Sequence, residues 1–346
     1  MSPYAFSMLL SSLSTGTVIT FISNHWFLAW MGLELNTLAM IPLMSKTHHP
    51  RATEAATKYF LMQAAASAML LFATTLNAWY TGEWTISCMQ STTPTLILTT
   101  ALMIKLAIAP FHLWLPDVIQ GLDLMTCMIL LTWQKLAPMA LLIQIEPELN
   151  PMLLTIFGAL SIILGGWGGL NQPQIRKIMA FSSTAHLGWM IVVLVFFPQL
   201  TILNLVLYLG MTAAMFLMIL SLSSTNINKM ATSWTKNSSL MPMMMIVLMS
   251  LGGLPPTSGF LPKWLILEEL VKHNMILVAS VMAVSALLSL FFYLRLAYTT
   301  SLTTPPTLQN SKLFWQTYKP NNKMAPMMII FSTMLLPILP TILNLL

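Results

Sequence analysis

Residues 101–117 read ALMIKLAIAPFHLWLPD, an apolar run with a single lysine near its middle. Lys105 is followed five residues later by Pro110, and His112 stands two residues beyond that proline. A helix needs about 20 apolar residues to cross the hydrocarbon core of a bilayer. The run therefore predicts a membrane span that contains both a charge and a helix breaker.

The composition of the whole chain agrees with this interpretation. Of 346 residues, 57% are hydrophobic and 7% are charged, whereas a soluble domain has about 25% charged residues. The N-terminus lacks a basic segment before its first apolar run, so we interpret that run as a span and not as a signal peptide. The chain is predicted to be an all-α polytopic membrane protein with about 11 transmembrane helices. The predicted spans are residues 3–23, 25–45, 59–80, 95–116, 123–145, 150–170, 176–197, 200–222, 240–262, 274–296 and 325–345.

Basic residues alternate between the loops. One side of the membrane receives Lys46, Arg51, Lys58, Arg176, Lys177, Lys229, Lys236, Arg295, Lys312, Lys319 and Lys323, and the other side receives only Lys272. Lys and Arg accumulate in the loops on the inner side of a membrane. The pattern supports the span count, and it predicts that the N-terminus lies on the basic side and the C-terminus on the opposite side.

Four charged residues fall inside or at the end of predicted spans: Glu34, Lys105, Lys135 and Lys263. A charge at the centre of a membrane helix costs about 2.5–3.5 kcal/mol on insertion scales, and such residues usually face a protein interior or a hydrated cavity. Glu34 and Lys105 could instead form a structural ion pair, and Lys263 could be an interfacial lysine that reaches outward. Lys135 has no acidic residue near it in its own span, since Asp123 lies at the start of the helix, and this favours a role in proton exchange.

A second stretch resembles the first. Residues 110–117 read PFHLWLPD and residues 256–263 read PTSGFLPK, each with a proline, a later Leu-Pro pair and a terminal charge. Helices interrupted by proline, in spans of opposite direction, are typical of inverted-repeat transporters, where they lie along the ion path. We therefore predict helix breaks at Pro110, Pro255 and Pro256. The predicted organisation is one domain with approximate inverted halves 1–146 and 147–300, followed by a C-terminal helix at 325–345.

Two histidines fall within or near spans. An imidazole can both donate and accept a proton, so His112 and His186 are candidates for proton relay. A buried histidine that only packs is the alternative for each. No pattern typical of a metal, haem, flavin or nicotinamide site is visible.

Four motifs together resemble a known family. KLAIAPFHLWLPDVIQG, FSSTAHLGWM, LGGLPPTSGFLPKW and the membrane glutamate of WMGLELN are similar to the antiporter-like membrane subunits of respiratory NADH:quinone oxidoreductase, most of all to those that animal mitochondria encode. The resemblance covers essentially the whole chain. Typical members have two inverted five-helix repeats within fourteen helices, so this chain resembles an antiporter-like fold that lacks the first three helices.

The resemblance implies residue roles. Glu34 and Lys105 resemble the coupled glutamate and the lysine of the first broken helix. Lys135 resembles the central lysine and Lys263 the ionisable residue of the second broken helix. His112 and His186 lie where polar residues extend the hydrated axis.

The implied function is proton translocation, driven by redox chemistry in other subunits of NADH:ubiquinone reductase. The chain itself is expected to bind no cofactor, and NADH, FMN, iron–sulfur clusters and ubiquinone are expected in partner subunits. The expected partners are other subunits of the complex, among them chains 4L and 4, accessory subunits and lipids such as cardiolipin, and no nucleic acid. The expected location is the mitochondrial inner membrane, with the N-terminus in the matrix and the C-terminus in the intermembrane space.

Two alternatives remain at this point. A stand-alone cation/proton antiporter would share the helices and charges, although cation sites favour oxygen ligands and the predicted spans offer one carboxylate, Glu34. A purely structural membrane anchor would need no titrating lysine.

Overall fold

A computed structural model describes residues 2–89, 91–235, 239–255, 257–301 and 324–334. Throughout these ranges the chain is helical and forms no β-strand beyond two isolated bridges. The helices are α1 (Pro3–Ile22), α2 (Trp26–Met44), α3 (Pro50–Thr81), α4 (Thr92–Leu106), α5 (Trp114–Gly121), α6 (Leu124–Leu131), α7 (Leu136–Gln144), α8 (Pro151–Gly169), α9 (Ile175–Leu194), α10 (Pro198–Leu222), α11 (Ile227–Ala231), α12 (Leu240–Gly252), α13 (Phe260–Lys272), α14 (Ile276–Ser301) and α15 (Met324–Met334). The predicted all-α fold class is confirmed.

Within the described residues, eight segments are long and apolar enough to cross a membrane, with α6 and α7 counted together, and α4 and α12 are shorter apolar helices. These ten segments correspond to the first ten predicted spans. Of the predicted eleventh span, 325–345, the described part forms α15, and the remainder lies outside the described residues. The third span is longer than predicted, since α3 begins at Pro50, where a proline suits the first turn of a helix.

The chain divides into two compact units, residues 1–161 and 162–346, with the boundary inside α8. The predicted halves, 1–146 and 147–300, place the boundary just before this helix and stay a prediction. In the first unit, α1 packs tightly on α2 because two glycines meet. A Cβ atom added at Gly32 would lie 2.8 Å from the carbonyl oxygen of Gly16. Small residues allow this close approach of membrane helices.

The helices recur along the chain at a nearly constant interval. The first residues of α1, α2, α3, α4 and α5 precede those of α8, α9, α10, α12 and α13 by 146–149 residues. The first set of five spans is α1, α2, α3, α4 with α5, and α6 with α7. The second set is α8, α9, α10, α12 with α13, and α14. This is the chain order of an inverted repeat, because an odd number of spans starts the second set from the other side.

Loops that were predicted to share a membrane side meet in the first unit. The backbone N–H of Trp26 donates to the carbonyl of Trp84 at 3.0 Å, which joins two loops of the poorly basic side. On the basic side, the ammonium of Lys58 lies 3.6 Å from the carboxylate of Asp117. The alternation of loops is therefore consistent with the packing of this unit.

The second unit shows the same agreement. The guanidinium of Arg295 donates to the carbonyl of Gln172 at 2.8 Å, and both belong to segments assigned to the basic side. The rings of Phe196 and His273, from two loops of the other side, lie 4.9 Å apart between centroids.

Candidate functional site

The two helix breaks have the same backbone structure. Ala107 and Gly253 stand 146 residues apart, and each ends its half-helix in the left-handed conformation, with φ of 59° and 77°. The next residues, Ile108 and Leu254, donate their N–H groups back to carbonyls five residues earlier, at 3.0 and 3.2 Å. This is the Schellman arrangement that commonly ends helices. The break is thus repeated at the level of single hydrogen bonds.

Two predicted breaker residues lie inside these interruptions. Pro110 falls between the end of α4 and the start of α5, and Pro255 falls between α12 and α13. Pro256 lies outside the described residues. A proline cannot donate a backbone hydrogen bond and so cannot continue a helix without loss.

A lysine ammonium caps the first broken helix. The Nζ atom of Lys135 donates to the carbonyl of Leu106, the last residue of α4, at 2.5 Å. The final carbonyls of a helix lack partners within the helix and carry the negative end of its dipole, which favours a cation there. Lys135 is 2% exposed, so its charge is held by this helix end within the protein interior.

The span that carries Lys135 is itself interrupted, which the sequence analysis did not predict. Residues Trp133–Lys135 form a short 3-10 turn between α6 and α7. Pro138 follows in the first turn of α7 and has no N–H to offer the carbonyl of Gln134. The predicted span over 123–145 is present as Leu124–Gln144 but is interrupted, and Pro138 was the signal that could have revealed the interruption.

Lys105 and Lys135 face a common small cavity of about 20 Å³. About 10–15 Å³ of such space is needed for one water molecule, provided that polar groups surround it. The polar and aromatic lining comes from Asn36, Thr37, Tyr59, Gln63, Lys105, Trp114, Gln134 and Lys135. Lys105 is 5% exposed, and within the described part of the chain its Nζ atom has no hydrogen-bond partner. The cavity thus joins a capped lysine to one that is free to bind water.

Glu34 lies beside this site without forming the direct ion pair that was considered for it. Within the described residues, no N–O distance of 4.0 Å or less joins Glu34 to Lys105. The Glu34 carboxylate does act electrostatically on Lys105 and on the buried Tyr59. One of its oxygens is buried and lacks a hydrogen-bond partner in the described structure. The structure therefore does not support a helix-stapling ion pair.

His112 lies within the first break, between α4 and α5, and is 7% exposed. Its ring hydrogen-bonds the backbone of Pro110, which gives the imidazole a partner inside the break. It does not belong to the lining described for the cavity of Lys105 and Lys135. Its relay role remains a prediction.

The second break also receives an ammonium group. Lys263, partly buried near the start of α13, donates through Nζ to the carbonyl of Gly252 at 2.7 Å. Gly252 is the last residue of α12 and corresponds to Leu106 in the first break. The interfacial, outward-reaching alternative for Lys263 is therefore wrong, because its head group turns back onto the break.

His186 lies near this second lysine. It stands in α9, is 6% exposed and interacts electrostatically with Lys263. Its ring lies 5.6 Å from that of the buried Tyr208 of α10. The partly buried Lys263 and the buried His186 and Tyr208 thus form a group of polar side chains in the second unit, and the relay role of His186 stays a prediction.

The terminal charges of the two similar stretches are not equivalent. Lys263 turns inward, whereas its counterpart Asp117 is half exposed and faces Lys58. Lys105 precedes its break, and the corresponding position of the second break holds the apolar Leu251. The two breaks therefore share a backbone shape but receive their capping lysines from different segments. Lys135 reaches the first break from another span, and Lys263 reaches the second from the half-helix that follows it.

Uncharged polar residues complete the first site, and sequence reasoning missed them. Asn36, Gln63 and Gln134 carry amides, and the hydroxyl of Tyr59 adds another polar group. Polar side chains within membrane spans usually face the protein interior. A search of the predicted spans for amide side chains, and not only for charged ones, could therefore have identified these residues.

Together, these features define a class: an antiporter-like helical membrane protein with repeated broken helices, each capped by a lysine whose head group binds the end of the broken helix. The chain matches the family profile described as NADH:quinone oxidoreductase/Mrp antiporter, TM over residues 23–289, and a profile described as NADH dehydrogenase subunit 2 C-terminus over residues 290–343. The chain belongs to the NADH:quinone oxidoreductase/Mrp antiporter family.

Curated relatives are similar over their full length. Proteins named NADH-ubiquinone oxidoreductase chain 2 are 56% identical in Tetraodon nigroviridis, over 100% of this chain and 99% of the relative, and 54% identical in Xenopus laevis, over 98% and 99%. A chain of respiratory complex I from Thermus thermophilus, solved with bound aureothin, is 26% identical, with a TM-score of 0.85 over 97% of this chain and 78% of that one. A chain of the Mrp complex from Dietzia sp. shares the fold at 20% identity, with a TM-score of 0.80 over 86% and 61% of the two chains.

Proposed function

We propose that this chain is a proton-translocating membrane subunit of respiratory NADH:ubiquinone oxidoreductase. The observation that carries the proposal is the pair Lys105 and Lys135 at one small polar cavity, with Lys135 bound to the end of a broken helix. Family membership and the full-length relatives support it. Redox chemistry belongs to partner subunits, which bind NADH, FMN, iron–sulfur clusters and ubiquinone.

The geometry supports a stepwise transfer in the first unit. A water molecule in the cavity would accept a hydrogen bond from the free Nζ of Lys105 and lie near Lys135. Lys135 would hold a proton while its ammonium is bound to the carbonyl of Leu106, since the helix dipole stabilises a cation there. Loss of that proton removes the charge but leaves an amine that can still donate to the carbonyl.

Glu34 supplies the means of control. An opposite charge favours the protonated form of a lysine. At a separation of 4 Å and an effective dielectric constant of 20 the interaction is worth about 4 kcal/mol, and the pair stands further apart than that. Movement of Glu34 relative to Lys105 by a few ångströms would therefore change the proton occupancy by about tenfold for each 1.4 kcal/mol. Redox events in partner subunits would drive such a movement.

The second unit would use Lys263 in the same manner. Its ammonium is bound to the carbonyl of Gly252, and His186 and Tyr208 lie nearby as groups that can donate and accept protons. His112 would act at the first break, where its ring already binds the backbone of Pro110.

We place the chain in the mitochondrial inner membrane, with the N-terminus in the matrix and the C-terminus in the intermembrane space, because the loops rich in Lys and Arg then face the matrix. Its partners would be other membrane subunits of the complex, with chains 4L and 4 as neighbours, accessory subunits, and lipids such as cardiolipin.

The test is substitution of Lys105 by alanine in the reconstituted complex. We expect fewer protons to be pumped per NADH oxidised, because the cavity loses its free ammonium group. Full pumping stoichiometry in the assembled variant would contradict the proposal. Transport that requires sodium in the isolated chain would instead favour a stand-alone cation/proton antiporter.

A further inference from the structure

Gly253 directly follows the carbonyl that receives Lys263. It is the C-cap of α12 and has a φ of 77°, in the left-handed region where a glycine is favoured. Its N–H donates to the carbonyl of Ser250 at 3.0 Å, which closes the last turn. The glycine thus lies between the end of α12 and the lysine that caps it.

The side chain of Lys263 occupies the space that a side chain at position 253 would need. A Cβ atom built on Gly253 would lie 2.8 Å from both Cδ and Nζ of Lys263, and 3.0 Å from Cε. Carbon atoms in contact are normally about 3.5–4.0 Å apart. The lysine could not keep its present position over an alanine.

The first break shows what an alanine does in the same conformation. Ala107 is left-handed, with a φ of 59°, and ends α4 with the same hydrogen bonds. The ammonium on the carbonyl of Leu106 comes there from Lys135, which belongs to another span and not to the half-helix that follows the break. An alanine is therefore compatible with the shape of the break.

We propose that Gly253 is a positioning residue for Lys263. Because Gly253 lacks a side chain, it leaves the space in which the lysine of the second half-helix reaches back to the carbonyl of Gly252. The residue at this cap position determines whether the capping lysine can come from the following half-helix. The inference rests on the proposed function, in which Lys263 holds a translocated proton.

The test is Gly253→Ala in the assembled complex, with two measurements. One is a density map that locates the Lys263 head group, and the other is the number of protons pumped per NADH oxidised. Gly82→Ala is the matched control, because Gly82 caps α3 with a φ of 75° and an added Cβ there meets nothing within 4 Å. Both variants place an alanine at a helix cap with a left-handed φ, and only Gly253→Ala displaces a lysine.

In Gly253→Ala we expect Lys263 to leave the carbonyl of Gly252 and pumping to fall as far as in Lys263→Ala, while Gly82→Ala pumps like the unmodified complex. A map in which Lys263 keeps its hydrogen bond to Gly252 would overturn the positioning role. A displaced lysine with full pumping would show that the placement of Lys263 does not matter for pumping. That result overturns the functional part of the inference and the role proposed for Lys263, and leaves Lys105 and Lys135 unaffected.

The double variant Gly253→Ala with Lys263→Ala covers the case in which Gly253→Ala does not assemble. If the clash with the lysine is the cause, removal of the lysine restores assembly, and the double variant pumps no worse than Lys263→Ala. Failure of the double variant to assemble, or a further loss of pumping, would assign the defect to the backbone and overturn the inference.

Discussion

Replacement of Lys135 by methionine and by arginine separates the structural role of this lysine from its role in proton transfer. Methionine keeps a long, flexible side chain but removes the donor that binds the carbonyl of Leu106. Arginine keeps a donor and a positive charge, yet a guanidinium stays protonated in proteins. If Lys135 only caps a helix, arginine should preserve function. If it carries a proton, neither variant should.

The expected stability changes follow from the same contact. A buried carbonyl left without its donor costs about 1–3 kcal/mol. Replacement of a buried charge by an apolar group of similar volume recovers part of its desolvation cost, and such replacements are often neutral or stabilising by about 1–4 kcal/mol. These opposing contributions leave Lys135→Met close to the unmodified chain in stability. We therefore expect Lys135→Met to assemble, and Lys135→Arg to assemble because it keeps a donor for the carbonyl of Leu106.

The assay is proton uptake into sealed vesicles that contain the purified complex, measured together with NADH oxidation. We expect fewer protons per NADH in Lys135→Met and also in Lys135→Arg, with assembly checked on native gels. Unchanged pumping by the arginine variant would refute the reasoning, because a permanently charged side chain would then suffice. Loss of assembly in Lys135→Met but not in Lys135→Arg would show that the cap is mainly structural.

Three further predictions follow from the first unit. Glu34→Gln removes the charge that acts on Lys105 and should lower the number of protons pumped per NADH in an assembled complex; unchanged pumping would exclude electrostatic control by Glu34. Gly32→Ala places a Cβ atom 2.8 Å from the carbonyl oxygen of Gly16 and should destabilise the packing of α1 on α2 by about 1–3 kcal/mol. We expect a lower melting temperature of the complex, and an unchanged melting temperature would refute that close contact. Asp117→Asn breaks a solvent-exposed ion pair with Lys58, and such pairs contribute little to stability, so stability and pumping should both stay near normal. A large loss of pumping would give Asp117 an unexpected role.

The fold was largely predictable because a membrane imposes simple rules. Long apolar runs with few charges must be helices in a bilayer, since every backbone group needs an internal partner. The similar stretches around Pro110 and Pro255 correctly indicated that two spans are broken. The alternation of basic loops agreed with the pairing of loops such as that of Arg295 with Gln172.

The details of the site were less accessible from the sequence. Which side chains share a cavity depends on how each helix is rotated about its axis, and a nearly uniform apolar span gives little indication of that rotation. Asn36 and Gln134 meet Lys105 only through the packing of three spans. The sequence also did not indicate which segment supplies the capping lysine of each break, because Lys135 and Lys263 reach their carbonyls from different helices.

The most direct test of the central claim is pumping stoichiometry in a complex whose three lysines at the helix breaks, Lys105, Lys135 and Lys263, are all replaced by methionine. Titrating groups at the helix breaks are required for proton translocation in this account. We expect the assembled variant to pump fewer protons per NADH oxidised than the unmodified complex. An assembled variant that pumps the full number would show that the three lysines are not required, and would leave the chain as a structural membrane anchor.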